Sequence, residues 1–371
     1  MDSRPALKKA RRIVVKVGTN ALTNATGRFH RAHFEQLASE IAEAAAEREV
    51  VVVSSGAIAL GVERLGLPAK PKDVPGKQAC AAVGQSRLMR AWEEALHPRP
   101  VAQVLLTHDD VQERRRYLNA RHALERLLEQ RVIPVINEND TVSADEIKFG
   151  DNDTLAGLVA GLVDADLLVI LSDVDGLYEE DPRQNPRAER IAYVSQLTKE
   201  LLAKAGASGS KVGTGGMATK VRAAARATEL GIRTVICAGL TAGRLGQVLA
   251  GEEVGTLFEA VTQKTKARAA WIAHALKARG RLTVDDGARR AVLERNKSLL
   301  PSGVRAVEGR FDKGDPVDIV GADGEAFARG LAAYDSNELQ RIAGKKTSQI
   351  EAELGYRGLD EAVHKDDLVV L

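Results

Sequence analysis

The chain has 371 residues, 44% of them hydrophobic, which at about 150 residues per domain is enough for two or three domains with sizeable cores. Its 53 Lys and Arg against 51 Asp and Glu leave a net charge of +2, which argues against a protein held to nucleic acid or membrane mainly by charge. Two cysteines, Cys80 and Cys237, are too few for a disulfide framework or a Cys-rich zinc site, and small apolar neighbours suit both to burial as thiols.

Residues Met1 to Arg12 are basic but lack the apolar centre of a signal peptide. The most apolar stretch, Leu155 to Leu171, is interrupted by Asp164 and Asp166, whereas a membrane span needs ~20 apolar residues. A soluble, cytoplasmic chain is expected. Six short, nearly continuous apolar runs follow in order: Ile13–Val17, Val50–Val53, Val101–Leu106, Val132–Ile136, Leu167–Leu171 and Thr234–Cys237. Runs of this kind suit strands buried on both faces. Segments with helical spacing lie between them, among them His33–Glu47, Gln85–Leu96 and Arg114–Glu129. The alternation predicts an α/β fold with a mostly parallel open sheet flanked by helices. After about residue 260 the pattern changes. Lys264 to Arg281 carries six basic residues and no acidic one, as a solvated linker would. Short strand-like pieces and turn signals such as Asp285-Asp286-Gly287 and Ala322-Asp323-Gly324 then predict a small, C-terminal β-rich domain. The predicted layout is a first domain over 1–262, a basic linker over 263–280 and a second domain over 281–371.

Four polar clusters follow predicted strands. Lys16-Val17-Gly18-Thr19-Asn20 puts a lysine at a buried strand end, which is costly unless its ammonium meets an anion or snorkels out. The glycine would let backbone N–H groups approach a phosphate. Ser54-Ser55-Gly56 precedes a helical start, and either anion binding or N-capping by a serine would explain it. Asn137-Glu138-Asn139-Asp140 and Gly150-Asp151-Asn152-Asp153 crowd amides and carboxylates together, suiting a polar small molecule or hydrated Mg²⁺. Gly213 to Lys220 departs from the P-loop spacing, but glycines before a helix with a lysine one turn in make a polyphosphate cradle.

The protein-kinase catalytic loop and the nucleophile elbow of hydrolases are missing, and the seven histidines form no zinc-protease or other recognisable metal motif. Two lysines, two glycine-containing turns and an Asn/Asp-rich pocket at strand ends predict phosphoryl transfer to a small molecule. No general base stands out, which fits a carboxylate acceptor already ionised at neutral pH.

Val-Lys-Val-Gly-Thr-Asn, Ser-Ser-Gly-Ala-Ile, Ala82-Val83-Gly84-Gln85-Ser86, Val-Ile-Asn-Glu-Asn-Asp, Phe149 to Asp153 and Gly-Thr-Gly-Gly-Met-Ala-Thr-Lys, in chain order, closely resemble the amino-acid kinase family. Within it they resemble the branch that phosphorylates L-glutamate with ATP at the start of proline synthesis. Ser298 to Pro301 and Arg341 to Gly344 look like that branch's appended PUA domain. The resemblance implies that Lys16 and Lys220 contact the ATP phosphates and stabilise the transferring group, with Asp153 holding both lysines. It places Ser55, Asp140 and Asn152 on glutamate, Asp140 meeting the α-ammonium. Gly18, Ser172, Asp173, Thr214, Gly215, Gly216, Met217, Ala218, Thr219 and Lys220 would line the nucleotide site. Mg²⁺, inhibition by proline and a homo-oligomer are further family expectations. Asn20 departs from the Ser usual at that position, implying an altered phosphate contact. From Arg281 onward 14 Lys and Arg face 17 Asp and Glu, a poor charge balance for gripping an RNA backbone, so a structural or regulatory tail is expected. A regulator that kept the fold without activity would show damage at Lys16, Asp153 or Lys220, and all three are intact; a sister kinase for another small acid would lack this combination of motifs.

Overall fold

A computed structural model describes residues 3–24, 26–143, 152–182, 184–198, 201–202, 216–261, 278–295, 297–356 and 358–371. It divides into two compact units, Met1–Gln112 with Asn119–Gln263, and Lys264–Leu371 with Glu113–Leu118. The first unit is built on eight strands: β1 (Arg12–Val17), β2 (Glu49–Ser54), β3 (Val101–Leu106), β4 (Ile133–Glu138), β5 (Leu167–Ser172), β6 (Tyr193–Val194), β7 (Arg233–Ala238) and β8 (Thr256–Phe258). They form one sheet in the order β3-β4-β2-β1-β5-β7-β8-β6. Every pairing is parallel except β7 with β8. All six apolar runs became strands: β1, β2, β4, β5 and β7 are buried along most of their length, as Val- and Ile-rich segments covered on both faces should be, while β3, at the sheet edge, is half-buried. β4 and β5 are buried along their whole length.

The helix predicted at Gln85 starts at Val74 instead and runs to Leu96. Asp73 caps it, accepting from the Gly76 N–H at 2.7 Å, with Pro75 in the first turn. Its first half carries Gly76, Ala79, Cys80, Ala81, Ala82 and Gly84, too small to display an apolar period. Packing explains that composition. The neighbouring helix, Ala57–Arg64, crosses it backbone to backbone: a Cβ on Gly84 would lie 1.8 Å from the Ala57 carbonyl oxygen, and one on Gly61 1.8 Å from that of Cys80. Cys80 and Cys237 are both free and buried.

The second unit holds a five-stranded sheet in the order β10-β9-β11-β12-β13, where β9 is Gly280–Val284, β10 Val304–Gly309, β11 Pro316–Val320, β12 Ala326–Leu331 and β13 Leu368–Val370. Leu282, Val317, Ile319, Tyr334, Leu339 and Val363 are among its buried core residues. Asp285-Asp286-Gly287, predicted as a turn, is the start of a helix, Asp286–Arg295, where the Asp285 carboxylate accepts from the Ala288 N–H at 2.8 Å. Several arginines here are matched by carboxylates, as in Arg329–Asp318 at 2.7 Å and Arg289–Asp323 at 2.8 Å. The basic linker lies outside the described residues through residue 277. No helix among the described residues is long and apolar enough to cross a membrane.

Gly84→Ala is expected to lower unfolding stability by about 1–3 kcal/mol, the usual cost of forcing atoms into a filled contact. Urea denaturation checks this, and an unchanged midpoint would show that the two helices separate freely.

Candidate active site

The parallel register brings the ends of the central strands to one edge. Val17 lies opposite both Ser54 on β2 and Leu171 on β5, and β4 beside β2 contributes Asn137 and Glu138 at the same edge. The chain leaves β1 toward β2 on one side and returns to β5 on the other, so a crevice opens outside the carboxyl ends of these strands. A cleft of about 810 Å³ occupies that place.

Lys16 stands one residue before the end of β1, with Val53 and Ile170 as its register neighbours, and is only 5% exposed. Its Nζ lies 2.6 Å from Asp153 Oδ1. On the other carboxylate oxygen, Lys220 Nζ donates at 3.0 Å and the Thr219 hydroxyl at 2.7 Å. Asp153 is wholly buried near the start of the helix Asn152–Leu162, where the free N–H groups also favour an anion. Burial pushes the Asp153 carboxyl up, but the Lys16 and Lys220 ammonium groups and the Thr219 hydroxyl outweigh it and hold it below its ordinary value. Burial pulls the Lys16 ammonium below its own ordinary value; Lys220 adds to this and Asp153 opposes it. Two cations sharing one carboxylate leave a net positive charge facing the cleft, since both lysines line it. Gly18 keeps that face open, because a Cβ there would lie 3.0 Å from the Lys16 Nζ.

Beside this triad runs a chain of amides. Asn152 Nδ2 donates to Ser55 Oγ at 2.9 Å and to Asn137 Oδ1 at 3.0 Å, and Asn137 Nδ2 donates to Gln85 Oε1 at 2.9 Å. Asn152 Oδ1 is buried and finds no hydrogen-bond partner among the described residues, leaving an acceptor at the cleft wall. The capping explanation for the serines fails. Gly56, with φ of 111°, caps the helix without a side-chain bond, while Ser54 Oγ donates to the Ser55 carbonyl oxygen and accepts from Trp92 Nε1 at 3.0 Å. Ser55 is thus held by Asn152, facing the cleft. On the far side, Asp173 accepts from Ser172 Oγ at 3.1 Å and from Asn20 Nδ2 at 3.0 Å. Asn20 therefore ties the loop after β1 to the one after β5. Asp140 also lines the cleft, and burial pushes its carboxyl up to about 6 against the pull of the Lys70 ammonium.

Residues 11–238 match the model of the amino acid kinase family. The chain belongs to the amino acid kinase family. Residues 280–354 match that of the PUA domain. Three curated relatives are each called glutamate 5-kinase. That of Myxococcus xanthus is 68% identical, covering 99% of this chain and 98% of its own. That of Anaeromyxobacter dehalogenans is 53% identical over 100% of this chain and 98% of its own. That of Syntrophotalea carbinolica is 51% identical over 98% of each.

The amino acid kinase fold gathers Lys16, Gly18, Ser55, Asp140, Asn152, Ser172, Asp173, Gly216, Met217 and Lys220 around one cleft. Asp153 and Thr219 stand behind the two lysines. Gly216 caps the helix Met217–Glu229, which carries Ala218 and, on its buried face, Thr219 and Lys220. Thr214 and Gly215, expected at the nucleotide site, lie outside the described residues, as do Phe149, Gly150 and Asp151. Asn137 and Glu138, read as a loop, are the last two residues of β4. The cleft also uses residues that no motif announced: Lys70, Arg28, and Tyr178 with Asp181 and Pro182 on its wall. An Asp-Pro turn after an aromatic residue was the only trace of the last group. Gln85, by contrast, was quoted within a motif yet carried no role before the Asn137 bond was seen.

Asp153→Asn leaves two buried ammonium groups without their counter-ion, so a stability loss of about 3 kcal/mol is expected at pH 7. The ionised carboxylate stabilises the fold above its unfolded pKa of about 3.9, and that contribution is lost as pH falls through the lowered folded value. The gap between wild type and variant should therefore close in acid. Denaturant titrations from pH 7 to pH 3 test this, and a gap constant across the range would contradict it.

Proposed function

We propose that this chain transfers the γ-phosphoryl group of ATP to the γ-carboxylate of L-glutamate, giving L-glutamyl 5-phosphate and ADP, the first step of proline synthesis. The observation that carries this is the Lys16–Asp153–Lys220 triad facing a cleft that is also lined by the amides of Asn137 and Asn152 and the carboxylates of Asp140 and Asp173. Family membership and near full-length relatives called glutamate 5-kinase support the same reading. A γ-carboxylate oxygen attacks the γ-phosphorus, a new O–P bond forms, and the bond to the β,γ-bridging oxygen breaks as ADP leaves. No proton has to be removed from the acceptor, which accounts for a site with no apparent general base. The net positive triad offsets repulsion between two anions and the charge on the transferring group. Asp153 is a positioning residue: it sets where both ammonium groups stand.

Asn152 and Ser55 are proposed to orient the acceptor, and Asp140 to receive its α-ammonium. Gly18, Ser172, Asp173 and the segment from Thr214 to Lys220 are proposed to hold the nucleotide. Among the described residues no group of three or more His, Cys, Asp or Glu side chains could cage a metal ion. The donor set instead fits Mg²⁺ carried on the ATP phosphates, with Asp173 the carboxylate at hand; the ion would supply further neutralisation of phosphate charge. Proline shares glutamate's α-ammonium and α-carboxylate, so it is proposed to inhibit through overlapping contacts.

Hydroxylamine traps an acyl phosphate as a hydroxamate. Protein, ATP, Mg²⁺ and glutamate should give hydroxamate, aspartate should not, and proline should slow the reaction in a way excess glutamate relieves. Lys220→Ala should lower the rate by roughly 10²-fold or more. Folded, ATP-binding protein that is silent with glutamate would refute the proposal.

Asp140 adds a pH dependence. Its carboxyl, raised to about 6, is ionised above that value and loses its hold on an ammonium below it. KM for glutamate should rise as pH falls, by about tenfold between pH 7 and pH 5, while KM for ATP changes little. Asp140→Asn should raise KM at pH 7 and flatten the dependence; an unchanged profile in that variant would remove Asp140 from the acceptor site.

A further inference from the structure

The cleft contains two separate charge centres. Lys16 is acted on by Asp153, Lys220 and Asp173, whereas the charge acting on Asp140 is Lys70. Both Asp140 and Lys70 line the cleft. Of its cations, Lys16 and Lys220 are committed to Asp153, while Lys70 makes no hydrogen bond or ion pair among the described residues. Lys70 sits in the connection between the helices Ala57–Arg64 and Val74–Leu96, between Pro68 and Pro71. Two prolines limit the conformations of that connection, and a residue before proline is held extended. The lysine is therefore presented from a restricted backbone.

An α-amino acid carries an ammonium and a carboxylate on the same carbon. A carboxylate and an ammonium that line the same cleft and act on each other electrostatically are a complementary pair. We propose that Lys70 is a specificity residue that receives the α-carboxylate of the acceptor, completing with Asp140 a site for the zwitterionic head group. This rests on the glutamate kinase reading and deepens it. The head group would be held at Asp140 and Lys70 while the side-chain carboxylate reaches the triad, so the spacing between the two centres measures the length of the acceptor. Burial and the neighbouring Lys77 ammonium lower the Lys70 pKa while Asp140 opposes them, so an arriving carboxylate would favour the charged form of a lysine that has no other direct anionic contact among the described residues.

The test is a cycle between protein and substrate. Wild type, Lys70→Met and Lys70→Arg are assayed for hydroxamate formation with L-glutamate and with isoglutamine, whose α-carboxylate is a neutral amide. For a poor acceptor, its inhibition constant against glutamate replaces kcat/KM. In Lys70→Met, KM for glutamate should rise by about tenfold, as losing a charged hydrogen bond implies, and KM for ATP should move less than twofold. Wild type should prefer glutamate over isoglutamine by about tenfold or more. That preference should shrink in Lys70→Met and survive in Lys70→Arg. A preference in Lys70→Met within twofold of wild type, whatever happens to KM, would overturn the proposal. Wild-type protein that makes no hydroxamate from glutamate would instead refute the glutamate kinase reading itself.

Discussion

Two buried lysines and one buried carboxylate set the terms for the rest of this molecule. Neither ammonium could remain near the end of the sheet without Asp153, and Asp153 could not ionise there without them. The three residues come from β1, from the helix after β4 and from the helix before β7, so the fold must bring distant parts of the chain within hydrogen-bond reach. What remains after their mutual neutralisation is a positive charge at the cleft. A protein selected for stability alone could fill such a site with apolar side chains at no loss. Retaining the ions suits a site that must meet a phosphate.

The scaffold that permits this is a stack of close approaches. Strands buried on both faces share one register, so their carboxyl ends align and their polar successors converge. Backbone-to-backbone packing at Gly61 and Gly84 draws the helix after Ser55 onto the long helix that carries Gln85. Gln85 meets Asn137, Asn137 meets Asn152, and Asn152 meets Ser55. Small residues in a helix thus serve the polar wall of the cleft, although none of them touches it. Asn20 does comparable work on the other wall by joining the loops after β1 and β5 through Asp173.

Much of this was legible beforehand, for reasons that differ by element. Continuous apolar runs announce strands because they have few other uses, and all six were found within two residues of their ends, the half-buried edge strand β3 included. The long helix was seen only in its second half, because its first half packs through small residues and shows no apolar stripe. The short strands Tyr193–Val194 and Thr256–Phe258 left no pattern, since two or three residues cannot show a period. Asp285 and Asp286 read as a turn because capping and turn composition are the same chemistry until the next residues pick a conformation.

By itself the sequence determined the alternating architecture, the polar clusters at strand ends and the residue types of a phosphoryl-transfer site. Those depend on local composition and on the order of segments, which one dimension contains. Only the tertiary structure decided between the two fates open to Lys16, snorkelling or pairing, by placing Asp153 at 2.6 Å. It also decided that Ser55 serves the cleft and not a helix cap, and that Lys70 and Asp140 line the same cleft. Each of these is a question of distance between residues far apart along the chain. Electrostatic and hydrogen-bond energies depend on that distance, and strand register and helix packing set it.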